Sequence, residues 1–193
     1  MIIRKMKPED AEDVAKLHIE TIAGFISDLG LDFLKRLHKE ICKSSRGIEY
    51  IYEQDHKIMG FITATPDVLR LYRRISYKKG ASFLFSLIKC SFRLSTIKRI
   101  IQSIFCPLKA KSNCGKAEVL FIGVKAKLRR RQIGKQLLKK VLGEFKKRRI
   151  SQVKVFAQDK NIDANKFYLS QGFKYIDRIK HYDGHLNVYL IKS

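Results

Sequence analysis

Apolar residues recur along the chain with a period of two in some segments and a helical period near 3.6 in others. Short alternating or continuous apolar runs predict strands at 2–6, 48–52, 58–64, 117–124, 153–157, 173–181 and 186–191. Apolar stripes at helical spacing predict helices over 8–25, 31–43, 131–148 and 163–170. Pro8 and the two acids after it mark the first helix start, and Asp183-Gly184 marks the turn of a C-terminal hairpin.

These elements follow the order β-α-α-β-β, an insertion, and then β-α-β-α-β-β. The order predicts a mixed α/β fold in which a central sheet of about six to seven strands is flanked by helices. The insertion, at about 68–116, has a basic, helical sequence and precedes the fourth strand. We expect one domain over residues 1–193, because this length provides a sizeable core for one domain and is short for two.

The charge of the chain is large and unevenly distributed. There are 41 Lys and Arg against 18 Asp and Glu, a formal net charge of +23, which favours polyanionic partners. Twelve of the basic residues and no acidic residue lie between Asp67 and Glu118. The four cysteines form no C-x-x-C pair, and we see neither a signal-peptide pattern nor the roughly 20 apolar residues that span a bilayer. We therefore expect a reduced, cytoplasmic environment.

The strand, loop and helix predicted between 118 and 148 have the features of an anion-binding site. Arg129, Arg130 and Arg131 precede the helix, whose N-terminus exposes unpaired N–H groups. These donors, the helix dipole and the guanidinium groups would together bind a pyrophosphate, and Gly134 would let it approach the backbone closely. A solvated basic loop is the alternative interpretation.

The segment 161–173 combines a short helix, a glycine stop and the start of a strand. Ala164, Phe167 and Tyr168 share the buried side of the helix, and Gly172 is placed to end it as a C-cap. Taken alone, Tyr168 is more readily interpreted as a core aromatic residue than as a functional one.

The loop and the 161–173 segment together resemble two motifs of the GNAT superfamily of acetyltransferases, Arg129-x-x-Gln132-x-Gly134 and Asn161-x-x-Ala164-x-x-Phe167-Tyr168-x-x-x-Gly172-Phe173. The resemblance implies a GNAT-like fold, acetyl-CoA as co-substrate without a metal, and transfer of the acetyl group to a primary amine. It implies that Tyr168 protonates the departing CoA thiolate. It also assigns cofactor binding to the end of the fourth strand, to the loop and helix start, and to an asparagine: Ile122, Gly123, Val124, Arg129, Arg130, Arg131, Gln132, Ile133, Gly134, Lys135 and Asn161.

Gln132 departs from this pattern, because the superfamily usually has a glycine at that position. A glutamine would be strained if the position required a positive φ and unstrained if it were helical. We predict that it is helical, since residues 131–136 are good helix formers.

Glu118 is the first candidate for the general base that activates the amine. It lies near the start of the fourth strand, where similar enzymes often carry a glutamate that acts through water. A structural salt bridge from Glu118 to the basic insertion is the alternative. Further candidates lie on the predicted hairpins, namely His56, His181, Tyr182 and His185.

Residues 81–105 carry apolar side chains at helical spacing with Lys and Arg between them. Three interpretations remain open: a lid over the acceptor pocket, a helix at a membrane surface, and a surface for a homodimer or nucleic acid. The missing aromatic-stacking pattern disfavours nucleic acid. We favour a cationic lid, which predicts a small or anionic amine acceptor such as an amino-sugar conjugate. The rival functions are acetylation of protein or peptide amines and a non-catalytic basic module that binds membranes or nucleic acid.

Overall fold

The computed structural model describes residues 1–71, 73–74, 115–181 and 184–192. Its strands are β1 (Ile2–Lys5), β2 (Ile48–Gln54), β3 (Lys57–Thr65), β4 (Ala117–Val124), β5 (Gln152–Gln158), β6 (Lys174–His181) and β7 (Gly184–Lys192). Its α-helices are α1 (Ala11–Thr21), α2 (Phe25–Asp28), α3 (Leu31–Lys43), α4 (Ile133–Lys147) and α5 (Ile162–Ser170).

The seven strands form one sheet in the order β1-β2-β3-β4-β5-β7-β6. Only β4 and β5 are parallel, and every other neighbouring pair is antiparallel. A parallel pair needs a crossover, and α4 provides it. The predicted mixed sheet flanked by helices is therefore confirmed.

Helices cover both faces of the sheet. Side chains alternate between the faces along a strand, and in β2 the residues Ile48 and Tyr50 pack in the core under α4, whereas Ile51 packs against α1. The α4 stripe of Leu137, Val141 and Phe145 is fully buried in the first of these cores. Helix α5 joins α4 on that face, and α1, α2 and α3 cover the other face.

The first predicted helix is wrong at its C-terminal end. Helix α1 stops at Thr21, because Ile22 has an extended backbone with φ −124° and ψ 108°. A separate short helix, α2, then begins after Gly24, whose φ of 139° is accessible to glycine but not to larger residues.

The predicted lid lies outside the described residues, since they exclude 75–114. Across the described part of the chain, no helix has the length and apolar character needed to cross a membrane.

Candidate functional site

Strands β4 and β5 separate part of the way along their length. They pair only at Ala117–Val153, Glu118–Lys154 and Val119–Val155. Against β3, β4 contains one extra residue, Leu120, where the register shifts. Such a bulge bends and twists a strand, which accounts for the divergence of β4 from β5. The result is a gap between the ends of the two strands, called the β4–β5 gap below.

The last residues of β4 border this gap and are held from both faces. Ile122 and Val124 pack against the core under α4. Gly123 is backed by α1, and a Cβ at this position would lie 2.3 Å from Thr21 Oγ1 and 2.6 Å from Phe61 Cε1. Only glycine allows so close an approach, so α1 supports the strand directly behind the gap.

The loop after β4 leads into α4 through two left-handed residues. A 3-10 turn at Ala126–Leu128 is followed by Arg130 with φ 62° and Gln132 with φ 61°. The prediction that Gln132 is helical is therefore wrong: it is the N-cap residue, and α4 begins at Ile133 rather than at 131. Helix propensity favoured an earlier start, but the tight turn between β4 and α4 requires left-handed backbone.

The N-terminus of α4 presents donors without a side-chain cap. The Gln132 side chain makes no capping hydrogen bond, and the first turn contains no acidic residue. The hydrogen bond from the Gln136 N–H to the Gln132 carbonyl, at 3.0 Å, is the first backbone bond of the helix. The N–H groups of the helix residues before Gln136 have no carbonyl of the helix to bond to. This end of α4 therefore combines N–H donors with the positive end of the helix dipole.

The arginines of the loop are exposed and diverge. Arg129 turns back to donate from Nε to the Val124 carbonyl at 3.4 Å. Arg131 lines a cavity of about 240 Å³ on the β1 side of the loop, together with Tyr52 and Leu128. Lys135 is also exposed, whereas the Ile133 side chain is buried in the core.

Helix α5 brings Tyr168 to the core that also holds the end of β4 and the start of α4. Tyr168 is buried in one cluster with Ile133 and with the half-buried Ile122. Gly134 lies between these elements, since a Cβ there would be 3.5 Å from the Phe167 ring and 3.8 Å from Ile122 Cδ1. These distances are ordinary contacts, so the position accommodates alanine as well as glycine.

The phenol of Tyr168 sits among aromatic rings. The ring centroids of Phe173 and Tyr189 lie 5.6 and 6.2 Å away. Burial raises the pKa of Tyr168 above its usual value, because a charged phenolate would lose its hydration there. The side chain is therefore a neutral O–H at physiological pH.

Two asparagines fix α5, and one of them was not predicted. Asn161 caps the helix by accepting the Ala164 N–H at 3.0 Å, so its carbonyl oxygen is already used. Asn165 donates to the Gln158 carbonyl at 2.8 Å and accepts from Asn187 at 2.8 Å and from the Tyr189 hydroxyl at 2.7 Å. Asn165 stands at an unspecified position of the 161–173 motif, and no sequence signal marked this network.

Glu118 is buried in β4 between Thr65 of β3 and Lys154 of β5. Because Ala117 and Val119 point into the core with Tyr168, Glu118 points to the opposite face of the sheet. Burial raises the pKa of this carboxyl to about 8, and the positive charge of Lys154 opposes the shift. Within the described residues its Oε2 has no hydrogen-bond partner. The alternative salt bridge, to the basic insertion, concerns residues outside the described ranges.

The other base candidates lie elsewhere. His56 is fully exposed, with Nδ1 3.9 Å from Glu53. His185 is half-buried, with its Nδ1 3.9 Å from Asp159 Oδ2, and His181 is the last residue of β6. Tyr182 lies outside the described residues.

The site has the parts that acyl transfer needs. Within the described ranges the strand edges at the gap are unpaired and the start of α4 has no side-chain cap, so together they can hold an extended, phosphorylated ligand. A buried phenol on one face of the sheet can donate a proton, and a buried carboxyl on the other face can accept one.

A family model matches part of the chain, and solved structures share its fold. A family model described as "Acetyltransferase (GNAT) domain" matches residues 108–190. A search of curated protein sequences gave no significant match. The PaiA N-acetyltransferase of Thermoplasma acidophilum, solved in complex with coenzyme A, is 16% identical with a TM-score of 0.65, and the match covers 100% of this chain and 98% of that one.

Two further solved structures are similar over nearly their whole length. The ribosomal-protein-S18-alanine N-acetyltransferase of Escherichia coli is 14% identical with a TM-score of 0.62, covering 99% of this chain and 92% of that one. An agmatine N-acetyltransferase variant in its apo form is 11% identical with a TM-score of 0.71, covering 100% and 99%. At these identities the structural similarity is one of fold.

Proposed function

Because the chain belongs to the GNAT superfamily of acetyltransferases, we propose that it transfers an acetyl group from acetyl-CoA directly to a primary amine while both substrates are bound. The observation that carries this proposal is the β4–β5 gap, which opens after Val119 beside the start of α4 and the buried Tyr168. The gap supplies the unpaired strand edge that the amide groups of a pantetheine arm would pair with.

The cofactor would lie along the gap with its pyrophosphate at the start of α4. The backbone of Ile122–Val124 would pair with the pantetheine arm, and the N–H groups from about Arg130 to Lys135 would bind the pyrophosphate. Exposed guanidinium groups of the loop would add charge-assisted hydrogen bonds. Asn161 would contribute its amide nitrogen as a donor, while its side-chain oxygen caps α5.

In the reaction, Glu118 accepts a proton from the amine, directly or through water, and the amine attacks the thioester carbon. A backbone N–H of the diverging β4 stabilises the oxyanion that forms. The C–S bond then breaks, and the thiolate takes the proton of Tyr168. Burial raises the pKa of this phenol and also disfavours an unprotonated thiolate, so donor and acceptor shift in the same direction and the proton can still pass between them. The phenolate left on Tyr168 regains a proton from solvent before the next turnover.

An acyl-enzyme is not part of this proposal. Cys42, which belongs to the described residues, donates its Sγ–H to the Met6 carbonyl at 3.2 Å. Burial raises its pKa to about 11, so this thiol is protonated and a poor nucleophile.

We further propose an anionic acceptor, such as an amino sugar carrying phosphate or carboxylate. The support is the charge of the chain, +23 overall with no acid between Asp67 and Glu118. Complementary charge raises the rate of encounter and suppresses like-charged competitors.

The acceptor proposal is tested with a matched panel of amines. Steady-state rates of CoA release are measured for an amino sugar, the same sugar as its phosphate ester, agmatine and an N-terminal peptide. We expect the phosphate ester to have the highest kcat/KM, with an advantage that falls as salt is added. Faster turnover of the peptide or of agmatine would contradict the anionic acceptor. Failure of acetyl-CoA to raise the melting temperature would contradict the enzyme itself.

A further inference from the structure

A chain of hydrogen-bonded polar side chains runs through the core on the α1 face of the sheet. His18 Nδ1 lies 3.0 Å from His38 Nε2, and His38 Nδ1 lies 2.8 Å from Glu49 Oε1. The Thr63 hydroxyl donates to the same oxygen of Glu49 at 2.9 Å. All four side chains are buried, and they come from α1, α3, β2 and β3. The chain therefore joins two helices to two strands.

The hydrogen bonds fix the tautomers of both imidazoles. Glu49 Oε1 accepts the Thr63 hydroxyl and, as the shared acceptor, takes the His38 Nδ1–H as well, so His38 offers the lone pair of Nε2. His18 must then donate from Nδ1, which leaves its Nε2 unprotonated. Within the described residues His18 Nε2 has no hydrogen-bond partner, and burial lowers the pKa of His18 to about 3. His18 is thus neutral, with a fixed ring orientation between Phe61 and Phe121.

His18 lies one helical turn before Thr21, which packs behind Gly123 at the β4–β5 gap. Phe121, whose ring centroid is 4.6 Å from that of His18, belongs to the same stretch of β4. At the end of this stretch, Lys125 pairs with Glu20 of α1 at 3.6 Å. Any rotation or shift of the last turn of α1 would therefore move the part of β4 that borders the gap.

We propose that the Glu49–His38–His18 chain positions the last turn of α1 against β4 and thereby sets the width of the β4–β5 gap for the pantetheine arm. His18 and His38 are positioning residues in this account, since they act through Thr21, Phe121 and Gly123. The inference rests on the proposed function, because the ligand whose binding it controls is acetyl-CoA.

The first test compares two substitutions of His18. His18→Asn places an amide N–H near the position of the Nδ1 donor, whereas His18→Leu fills the space without a donor. We expect His18→Leu to weaken CoA binding on the order of tenfold by calorimetry and to raise the KM for acetyl-CoA more than it lowers kcat. His18→Asn should restore most of the affinity. Equal affinity of folded His18→Leu and the unaltered protein would overturn the proposal, as would equal losses in both variants.

The second test uses the unaltered protein and does not depend on how the variants fold. Ring ¹⁵N shifts measured by NMR should show that each histidine carries a proton on Nδ1 and none on Nε2. A proton on His18 Nε2 would reverse the direction of the chain and overturn the assignment. If the unaltered protein binds no CoA, the proposed function and this inference fail together; if it binds and acetylates normally while the histidine predictions fail, only this inference is lost.

Discussion

Replacing Gln132 with glycine should stabilise the protein, although glycine usually destabilises the interior of a helix. Gln132 is the N-cap residue of α4, with φ 61° and ψ 6°, and its side chain makes no capping hydrogen bond. Its side chain is exposed, so the substitution removes little packing. The dominant effect is the loss of a Cβ from a left-handed backbone.

The size of the effect follows from two opposing terms. A left-handed conformation costs a residue with a Cβ roughly 1–2 kcal/mol. The greater freedom of glycine in the unfolded chain offsets about 0.5–1 kcal/mol of that gain. The net stabilisation is on the order of 0.5–1 kcal/mol, which corresponds to a rise of about 1–4 °C in Tm for a chain of this length.

The matched control is Gln136→Gly, the same change one turn further along α4. Gln136 is exposed and helical, and its N–H already bonds to the Gln132 carbonyl. Glycine there should cost about 0.5–1 kcal/mol. Denaturant unfolding of the three proteins measures both changes. Destabilisation of Gln132→Gly to the same extent as Gln136→Gly would refute the left-handed assignment. The Kd for CoA should change by less than about threefold, since the loop conformation already exists in the free protein.

Three other predictions concern β4 and its neighbours. In a pH–rate profile, kcat/KM should rise through about pH 8, because burial raises the pKa of Glu118 to about 8 and only the ionised carboxylate accepts a proton. The Glu118→Gln variant should lose this rise, and an unchanged profile in that variant would exclude Glu118 as the base. Lys154→Met removes the positive charge that lowers the pKa of Glu118, so the profile should move to higher pH. An unchanged midpoint would contradict the effect of Lys154 on the Glu118 carboxyl. Gly123→Ala should lower the free energy of unfolding by about 1–3 kcal/mol in a denaturant titration, because the new Cβ would overlap Thr21. Adding Thr21→Ala to that variant should recover part of the lost free energy. No recovery would contradict the close approach of Thr21 to Gly123.

Most of the fold could be predicted from local pattern. The strand Glu-Val-Leu-Phe-Ile-Gly-Val and the α4 stripe are long and strongly periodic, and the structure has both as predicted apart from the helix start. The glycine stop after α5 is also confirmed, since Gly172 has φ 86° and its N–H bonds to the Leu169 carbonyl. These features depend on neighbours in sequence.

Features that depend on distant partners could not be predicted. The bulge at Leu120 exists only in relation to β3, and no residue of β4 marks it. His18 and His38 occupy buried positions of two helical stripes, beside Val14 and Leu34. A histidine on an apolar stripe signals a buried polar contact, but the sequence does not give its partner. Gln132 is the reverse case, in which good helix propensity concealed a turn that the β4–α4 connection imposes.

The release of CoA thiol by a Tyr168→Phe variant is the most direct test of the proposed transfer. Phenylalanine keeps the ring and its packing against Phe173 and Tyr189 but removes the proton donor. The variant should bind CoA within about threefold of the unaltered protein, because its fold and gap are retained. Its rate of thiol release from bound acetyl-CoA in a single turnover should fall by about 10²–10⁴-fold. A rate equal to that of the unaltered protein, at equal CoA affinity, would contradict the role of Tyr168 as the acid that completes acetyl transfer.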